Sequence, residues 1–345
     1  MPVLLRRIKM SHASHRLICR RFLYGCMLSE RRSFVKSIAV NGKGHAPGKG
    51  EYMPEYNYRL PGRGKRSQKS FDDQELGVAV RGEILFGVHP ISLALRANKR
   101  KLYKLYLKQN TTFRAEGEKV LQMANKLSVP MTFVDKGVLE KLSGSRPNQG
   151  MCLDVSQLPV PWAGSSQVRT ELKESKWRYP LWLMPYNVQD PMNFGAILRT
   201  TYFLGIDKVL APQKESCSLS PVVSKASSGA LELINLARFK EMQDMIDLLQ
   251  EWKQAGGEVI GTSVVATRDV PVTPLPQLVV DKPILLIVGN EERGISSTLM
   301  EKCDQVVYIP GCDAGLIGSL NVSVATGIIL QHLVSHNEKK EQKTT

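Results

Sequence analysis

Apolar and polar positions along this chain change period several times, and each change marks an element. Ile84-Leu85-Phe86-Gly87-Val88-His89-Pro90 is a short apolar run leading into Ile91-Ser92-Leu93-Ala94-Leu95, which reads as a helix start. Lys104-Leu105-Tyr106-Leu107 reads as a strand. Glu116 to Leu127 reads as a helix with Val120, Leu121, Ala124 and Leu127 on one face, and Val129 to Val134 as a further strand. Such alternation over a short span predicts a small α/β unit. Residues 156–178 lose the pattern: Pro159, Pro161, Gly164, Ser165 and Ser166 precede mixed charges, as in a connection between units.

From Leu181 the pattern is βαβ. Strands are expected over Leu181–Val188, Lys208–Leu210, Leu233–Phe239, Val259–Val265, Ile284–Val288 and Val306–Ile309. Helices are expected over Asn193–Leu204, closed by Gly205, over Glu241–Ala255, closed by Gly256-Gly257, and over Ser296–Cys303. Apolar strands separated by helices predict an α/β fold with a parallel sheet covered on both faces, whose ligands sit at the carboxyl ends of strands. In the last segment, Leu320, Val324 and Ile328 recur every four residues and share a face, with Ser319 as the expected N-cap. Pattern alone makes this a capped core helix.

Charge changes the picture at the N-terminus. The formal net charge is +15, and residues 1–50 hold eleven Lys/Arg against the single acid Glu30. Arg6, Arg7, Arg16, Arg20, Arg21, Arg31 and Arg32 alternate with Leu4, Leu5, Ile8, Leu17, Ile18, Phe22 and Leu23, so residues 1–40 read as an organellar, here mitochondrial, transit peptide rather than an RNA-binding arm. Residues 41–78 form a basic flexible linker. Lys99, Arg100, Lys101 and Lys104 beside Tyr103 and Tyr106 offer either a phosphate-contacting face or a solvated one. His89 is either an RNA contact or a turn histidine packed before Pro90. Cys19, Cys26, Cys152, Cys217, Cys303 and Cys312 form no C-x-x-C pair, which argues for free thiols and against a disulfide frame or a zinc site. No segment is long and apolar enough to cross a membrane as a helix. Neither G-x-G-x-x-G nor a P-loop is present, which disfavours ordinary dinucleotide or nucleotide binding.

Three ordered stretches carry the candidate chemistry: Asp190-Pro191-Met192-Asn193-Phe194-Gly195-Ala196-Ile197-Leu198-Arg199-Thr200, Ile287-Val288-Gly289-Asn290-Glu291-Glu292-Arg293-Gly294-Ile295, and Ser319-Leu320-Asn321-Val322-Ser323 after a glycine-punctuated loop. Together they resemble the motifs of the SpoU (TrmH) branch of the SPOUT methyltransferases. The resemblance implies a Rossmann-like parallel sheet with a C-terminal trefoil knot over 179–336 and a polar tail over 337–345. The Phe86-Gly87-Val88-His89-Pro90 start resembles that of the L30e-like RNA substrate-binding domain of the family, implied over 79–157 with a linker over 158–178. Asn148-Gln149-Gly150 departs from the family's His-Gln-Gly at its first position, and the 311–318 loop is longer than usual.

By the same resemblance, the cofactor is S-adenosyl-L-methionine without a metal, and it is held by backbone groups of Gly289, Ile309 and Leu320. Gly289 also has a rationale of its own, since no side chain blocks close approach. The catalytic set is Asn193, Arg199, Glu291, Asn321 and Ser323. For Arg199 the resemblance implies a general base, but a guanidinium is hard to deprotonate and gripping phosphate while stabilising a developing 2′-alkoxide is the cheaper role; the sequence leaves both open. Gly195, four residues before Arg199, is expected to leave room for RNA backbone. The implied partners are a second copy of the chain and rRNA of the mitochondrial large ribosomal subunit, and the implied reaction is 2′-O-ribose methylation of a guanosine there, in the mitochondrial matrix. Two alternatives stay open: a tRNA ribose methyltransferase of the same branch, and a non-catalytic RNA-binding ribosome-assembly factor.

Overall fold

The computed structural model describes residues 78–214, 216–263, 270–290, 294–311 and 318–340. The leader and nearly all of the basic linker expected before Val78, the candidate Glu291 and most of the 311–318 loop lie outside the described residues.

The first layer is built from β1 (Glu83–Phe86), α1 (Val88–Ala97), β2 (Leu102–Lys108), α2 (Ala115–Lys126), β3 (Met131–Val134), α3 (Lys136–Leu142) and β4 (Met151–Val155), with strand order β1-β4-β2-β3. Strand alternation separates two cores. Leu85, Leu105, Leu107 and Leu153 face α1 and α2, whereas Ile84, Phe86, Tyr106 and Cys152 face α3. The sequence reading left β4 unassigned, although it is buried at every residue. Asp154 breaks its apolar run, and its carboxylate accepts hydrogen bonds from the amides of Arg81 (2.8 Å) and Gly82 (3.0 Å). Asn148 braces its own loop, donating to Ser143 Oγ at 3.1 Å and accepting from the Gly150 amide at 3.0 Å.

The second layer comprises α4 (Val168–Glu174), β5 (Leu181–Pro185), α5 (Pro191–Leu204), β6 (Lys208–Pro212), α6 (Pro221–Ala226), α7 (Ala230–Leu233), β7 (Leu236–Phe239), α8 (Met242–Gln254), β8 (Glu258–Thr262), β9 (Val272–Pro274), β10 (Ile284–Val288), α9 (Ser297–Met300), β11 (Gln305–Tyr308) and α10 (Val322–Ser335). Its seven strands are all parallel, in the order β7-β6-β5-β10-β8-β11-β9. Both faces are covered, as the continuous apolar runs require. Leu181, Leu183, Ile284 and Leu286 pack with α5 and α10, and Trp182, Met184, Leu285 and Ile287 pack with α8.

Several boundaries differ from the sequence reading. The strand expected from Leu233 begins at Leu236, because Ala230–Leu233 makes a helical turn. The helix expected over Ser296–Cys303 shrinks to Ser297–Met300. The connection over 158–178 is anchored rather than slack: Val168 and Trp177 are buried, and Trp177 Nε1 donates to the Gly205 carbonyl at 2.8 Å. Residues 337–340 do not trail away, since Asn337 pairs with both backbone groups of Tyr179, at 3.2 and 2.6 Å.

A buried ionic clamp joins the two layers. Arg100, just before β2, is 3% exposed and meets Glu232 of α7 through two hydrogen bonds, Nε to Oε2 at 2.8 Å and Nη2 to Oε1 at 3.1 Å. Its Nη1 reaches Glu83 (2.9 Å) and the Ser156 carbonyl (2.9 Å). Burial raises the Glu83 carboxyl above its ordinary range despite the adjacent guanidinium. The neighbouring Lys99 donates to the carbonyls of Leu233 and Ile234, both at 3.3 Å. The expected basic cluster therefore divides: Arg100 and Lys99 hold the two layers together, and Arg100 has no surface to offer a phosphate.

Candidate active site

Asp190 starts α5. Its Oδ2 accepts from the Asn193 amide at 3.0 Å, and Pro191 fills the first turn, where a missing N–H costs nothing. Asn321 likewise caps α10, accepting from Ser323 N (3.0 Å) and Ser323 Oγ (2.6 Å). Asn321, not Ser319, is thus the N-cap, because its carboxamide reaches the free amide two residues on. Its Nδ2 donates to Asn193 Oδ1 at 3.0 Å, tying the starts of the two helices together. Asn193, Asn321 and Ser323 are therefore brought together at the two helix starts.

Arg199 leaves α5 elsewhere. Six residues on from Asn193 is about 9 Å along the axis and some 240° around it. Its exposed guanidinium donates from Nη1 to Ser228 Oγ at 3.1 Å. Arg199 lines a groove of about 670 Å³ with Leu93 of α1, Phe203 of α5, Ser228, and Gly327 and Gln331 of α10. The groove thus draws on both layers.

Gly195 has other work than expected, and Gly289 has a structural task besides the cofactor contact expected of it. A Cβ on Gly195 would lie 2.4 Å from Ala226 Cβ and 2.9 Å from Ser227 N, so the space beside it belongs to α6 and not to RNA. A Cβ on Gly289 would lie 2.5 Å from the Gly294 carbonyl carbon. This glycine lets its loop fold back on itself, with the Gly294 amide donating to the Asn290 carbonyl at 2.9 Å. The Gly289 amide reaches Thr262 Oγ1 only at 3.4 Å, long for such a bond, and so keeps capacity for a better acceptor. Ile309 packs against the main core. Leu320 is 45% exposed, as are Val324 (50%) and Ile328 (40%), so the shared face expected to be core is on the surface.

His89 is exposed on the first turn of α1 and lines a smaller cleft with Ser92, Arg96 and Lys119. It is not packed into the turn. The described thiols are poor nucleophiles: burial pushes Cys152 and Cys303 up to about 12, and burial with the Asp190 charge pushes Cys217 up to about 11. Sequence reasoning missed Ser228 and Glu232. The signal for Glu232 was available, as a lone acid inside Ala230-Leu231-Glu232-Leu233-Ile234 must find a partner or stay solvated.

Residues 180–331 match the SpoU rRNA methylase family, and residues 84–161 match the RNA 2′-O ribose methyltransferase substrate-binding family. The human protein described as rRNA methyltransferase 1, mitochondrial, is 34% identical over 295 residues, covering 81% of this chain and 79% of that protein. The 23S rRNA (guanosine-2′-O-)-methyltransferase RlmB of Pseudomonas putida is 31% identical over 259 residues, covering 75% of this chain and 98% of that protein. Among solved structures, the SpoU methyltransferase AviRb of Streptomyces viridochromogenes, in complex with AdoMet, superposes with a TM-score of 0.59 at 20% identity, covering 73% of this chain and 89% of that one.

Proposed function

The chain belongs to the SpoU rRNA methylase family, and from that premise we propose that it methylates the ribose 2′-hydroxyl of a guanosine in large-subunit rRNA of the mitochondrion, using S-adenosylmethionine. The observation that carries this reading is the groove at the joint of the two layers. It exposes a guanidinium beside the unit that matches an RNA substrate-binding family.

When bound, S-adenosylmethionine supplies an electrophilic methyl carbon. The residues present fit it: adenosine needs hydrogen-bonding edges, and Gly289, Ile309 and Leu320 present backbone on the loops after β10 and β11, at the carboxyl edge of the parallel sheet. Methylation of the ribose 2′-hydroxyl would release its proton to solvent water, so no side chain is needed as its acceptor. Arg199 stabilises the charge that gathers on the 2′-oxygen and grips the adjoining phosphate. Asn193, Asn321 and Ser323 hold the two helix starts at fixed separation.

The RNA backbone has a path to this site. The cleft between α1 and α2 carries Arg96, Lys119 and His89, and Leu93 lines both it and the Arg199 groove. Replacing Arg96 and Lys119 together with alanine should flatten the salt dependence of RNA affinity by about 1.4 in log–log slope, two phosphate contacts at ~0.7 each. Turnover at saturating RNA should be kept. An unchanged slope in filter binding across a salt series would remove this path.

The reading includes the trefoil knot and a homodimer through α5 and α10. Phe203 is 85% exposed and Tyr202 47%, and Leu320, Val324 and Ile328 are on the surface as well. These residues suit an isologous apolar interface. Sedimentation at micromolar concentration should give a dimer, and Phe203→Asp a monomer. A strictly monomeric parent protein rejects this part. Mitochondrial residence is supported by the name of the human relative and by the acid-poor basic leader. Residues 1–40 fused to a fluorescent protein test it, and a cytosolic or nuclear signal counts against it.

Transfer of tritiated methyl to rRNA and tRNA fragments, with mapping of the modified ribose, tests the reaction. Modification of tRNA alone selects the tRNA reading. Binding of rRNA without transfer to any ribose selects the assembly-factor reading.

A further inference from the structure

We propose that Ser228 is a positioning residue for Arg199, and that the RNA-binding layer sets where Ser228 stands. The inference rests on the reading of Arg199 as the charge-stabilising group. Arg199 is exposed, so its long side chain is free to rotate unless something holds it, and its Nη1 donates to Ser228 Oγ at 3.1 Å.

Ser228 sits where few side chains sit. Its φ is 53°, and Gly229 follows at 86°, so two consecutive residues are left-handed. Hydrogen bonds enforce that turn: the Gly229 amide donates to the Ser224 carbonyl at 2.7 Å, Ser227 Oγ donates to the same carbonyl at 3.1 Å, and the Leu231 amide donates to Ser227 Oγ at 3.2 Å. Ser224 Oγ in turn donates to Glu232 Oε1 at 2.8 Å, which is also held by Arg100 of the other layer. The turn also abuts α1 directly. A Cβ on Gly229 would lie 3.0 Å from the His89 carbonyl oxygen and 3.0 Å from Leu93 Cδ1, so α1 and the turn approach as closely as a glycine permits. The hydroxyl that orients Arg199 therefore stands on a turn fixed from one side by α5 through Gly195 and from the other by the layer that receives RNA. Docking of that layer and readiness of the arginine become one geometric condition.

Ser228→Gly is the informative variant, since glycine accepts the left-handed backbone and removes the short hydroxymethyl group with its acceptor oxygen. Its kcat should fall about 10-fold, with the KM for an rRNA fragment and the Kd for S-adenosylmethionine within about twofold of the parent protein and an unchanged Tm. Ser228→Asn tolerates the same backbone and offers an acceptor oxygen, so its kcat should return to within about threefold of the parent. In an Arg199→Ala background Ser228→Gly should have no further effect, because the interaction it removes is already gone. The proposal is overturned if Ser228→Gly turns over normally, if its loss tracks a fall in Tm or cofactor affinity, if asparagine restores nothing, or if the two substitutions multiply. Normal turnover by Arg199→Ala alone instead overturns the arginine reading on which the proposal stands.

Discussion

Arg199→Ala is expected to cut methyl transfer by at least about 100-fold, the usual scale for losing a preorganised charge-stabilising group. Affinity for S-adenosylmethionine should stay nearly unchanged, because the proposed cofactor contacts are backbone groups of Gly289, Ile309 and Leu320 on other loops. The fold should also tolerate the change. The side chain is exposed, and its one described hydrogen bond goes to a serine hydroxyl. Calorimetry with S-adenosylmethionine and tritium transfer to an rRNA fragment separate the two quantities. Near-normal turnover would mean that Arg199 neither stabilises the alkoxide nor holds the phosphate. A parallel loss of cofactor affinity would mean that the groove and the cofactor loops are one site rather than neighbours.

The largest effect on stability is expected at Glu232. Its side chain is 1% exposed and that of Arg100 is 0% exposed, so Glu232→Ala leaves a guanidinium buried with Glu83 as its remaining carboxylate partner. Breaking such a pair from one side costs about 3–5 kcal/mol, most of it the uncompensated charge. Urea unfolding followed by tryptophan fluorescence should show the midpoint falling accordingly. The exposed pair Arg178–Glu338 serves as the control, since Glu338→Ala removes a contact of similar length, 2.9 Å, in full solvent and should not move the midpoint measurably. A small effect at Glu232 would show that Arg100 relaxes toward Glu83 or water. The rigid joint between the layers would then not depend on the clamp.

The sequence by itself determined the elements whose cause is local. Period and caps placed Pro191–Leu204 between an aspartate that can accept at its start and Gly205, whose φ of 74° closes it. Continuous apolar runs announced the central strands of a parallel sheet, and burial on both faces of β5 and β10 bears that out. The order of the three motif stretches also fixed which loops gather at one edge of the sheet, since parallel strands leave all their carboxyl ends there. Asn193 and Asn321 were singled out by the resemblance of their motifs, and each stands at the start of a helix of the second layer.

Tertiary structure alone decided what lies against each exposed or crowded position. Arg100 looked like its basic neighbours until it met Glu232, 132 positions away. Gly195 and Gly289 were read as openings for ligands, yet neighbouring backbone fills the space at both. Leu320, Val324 and Ile328 share a face, as their spacing requires, but that face is on the surface. A period in the sequence reports which side chains point the same way, because it follows from the geometry of one helix. It carries nothing about what stands opposite, because that neighbour is brought there by the rest of the chain.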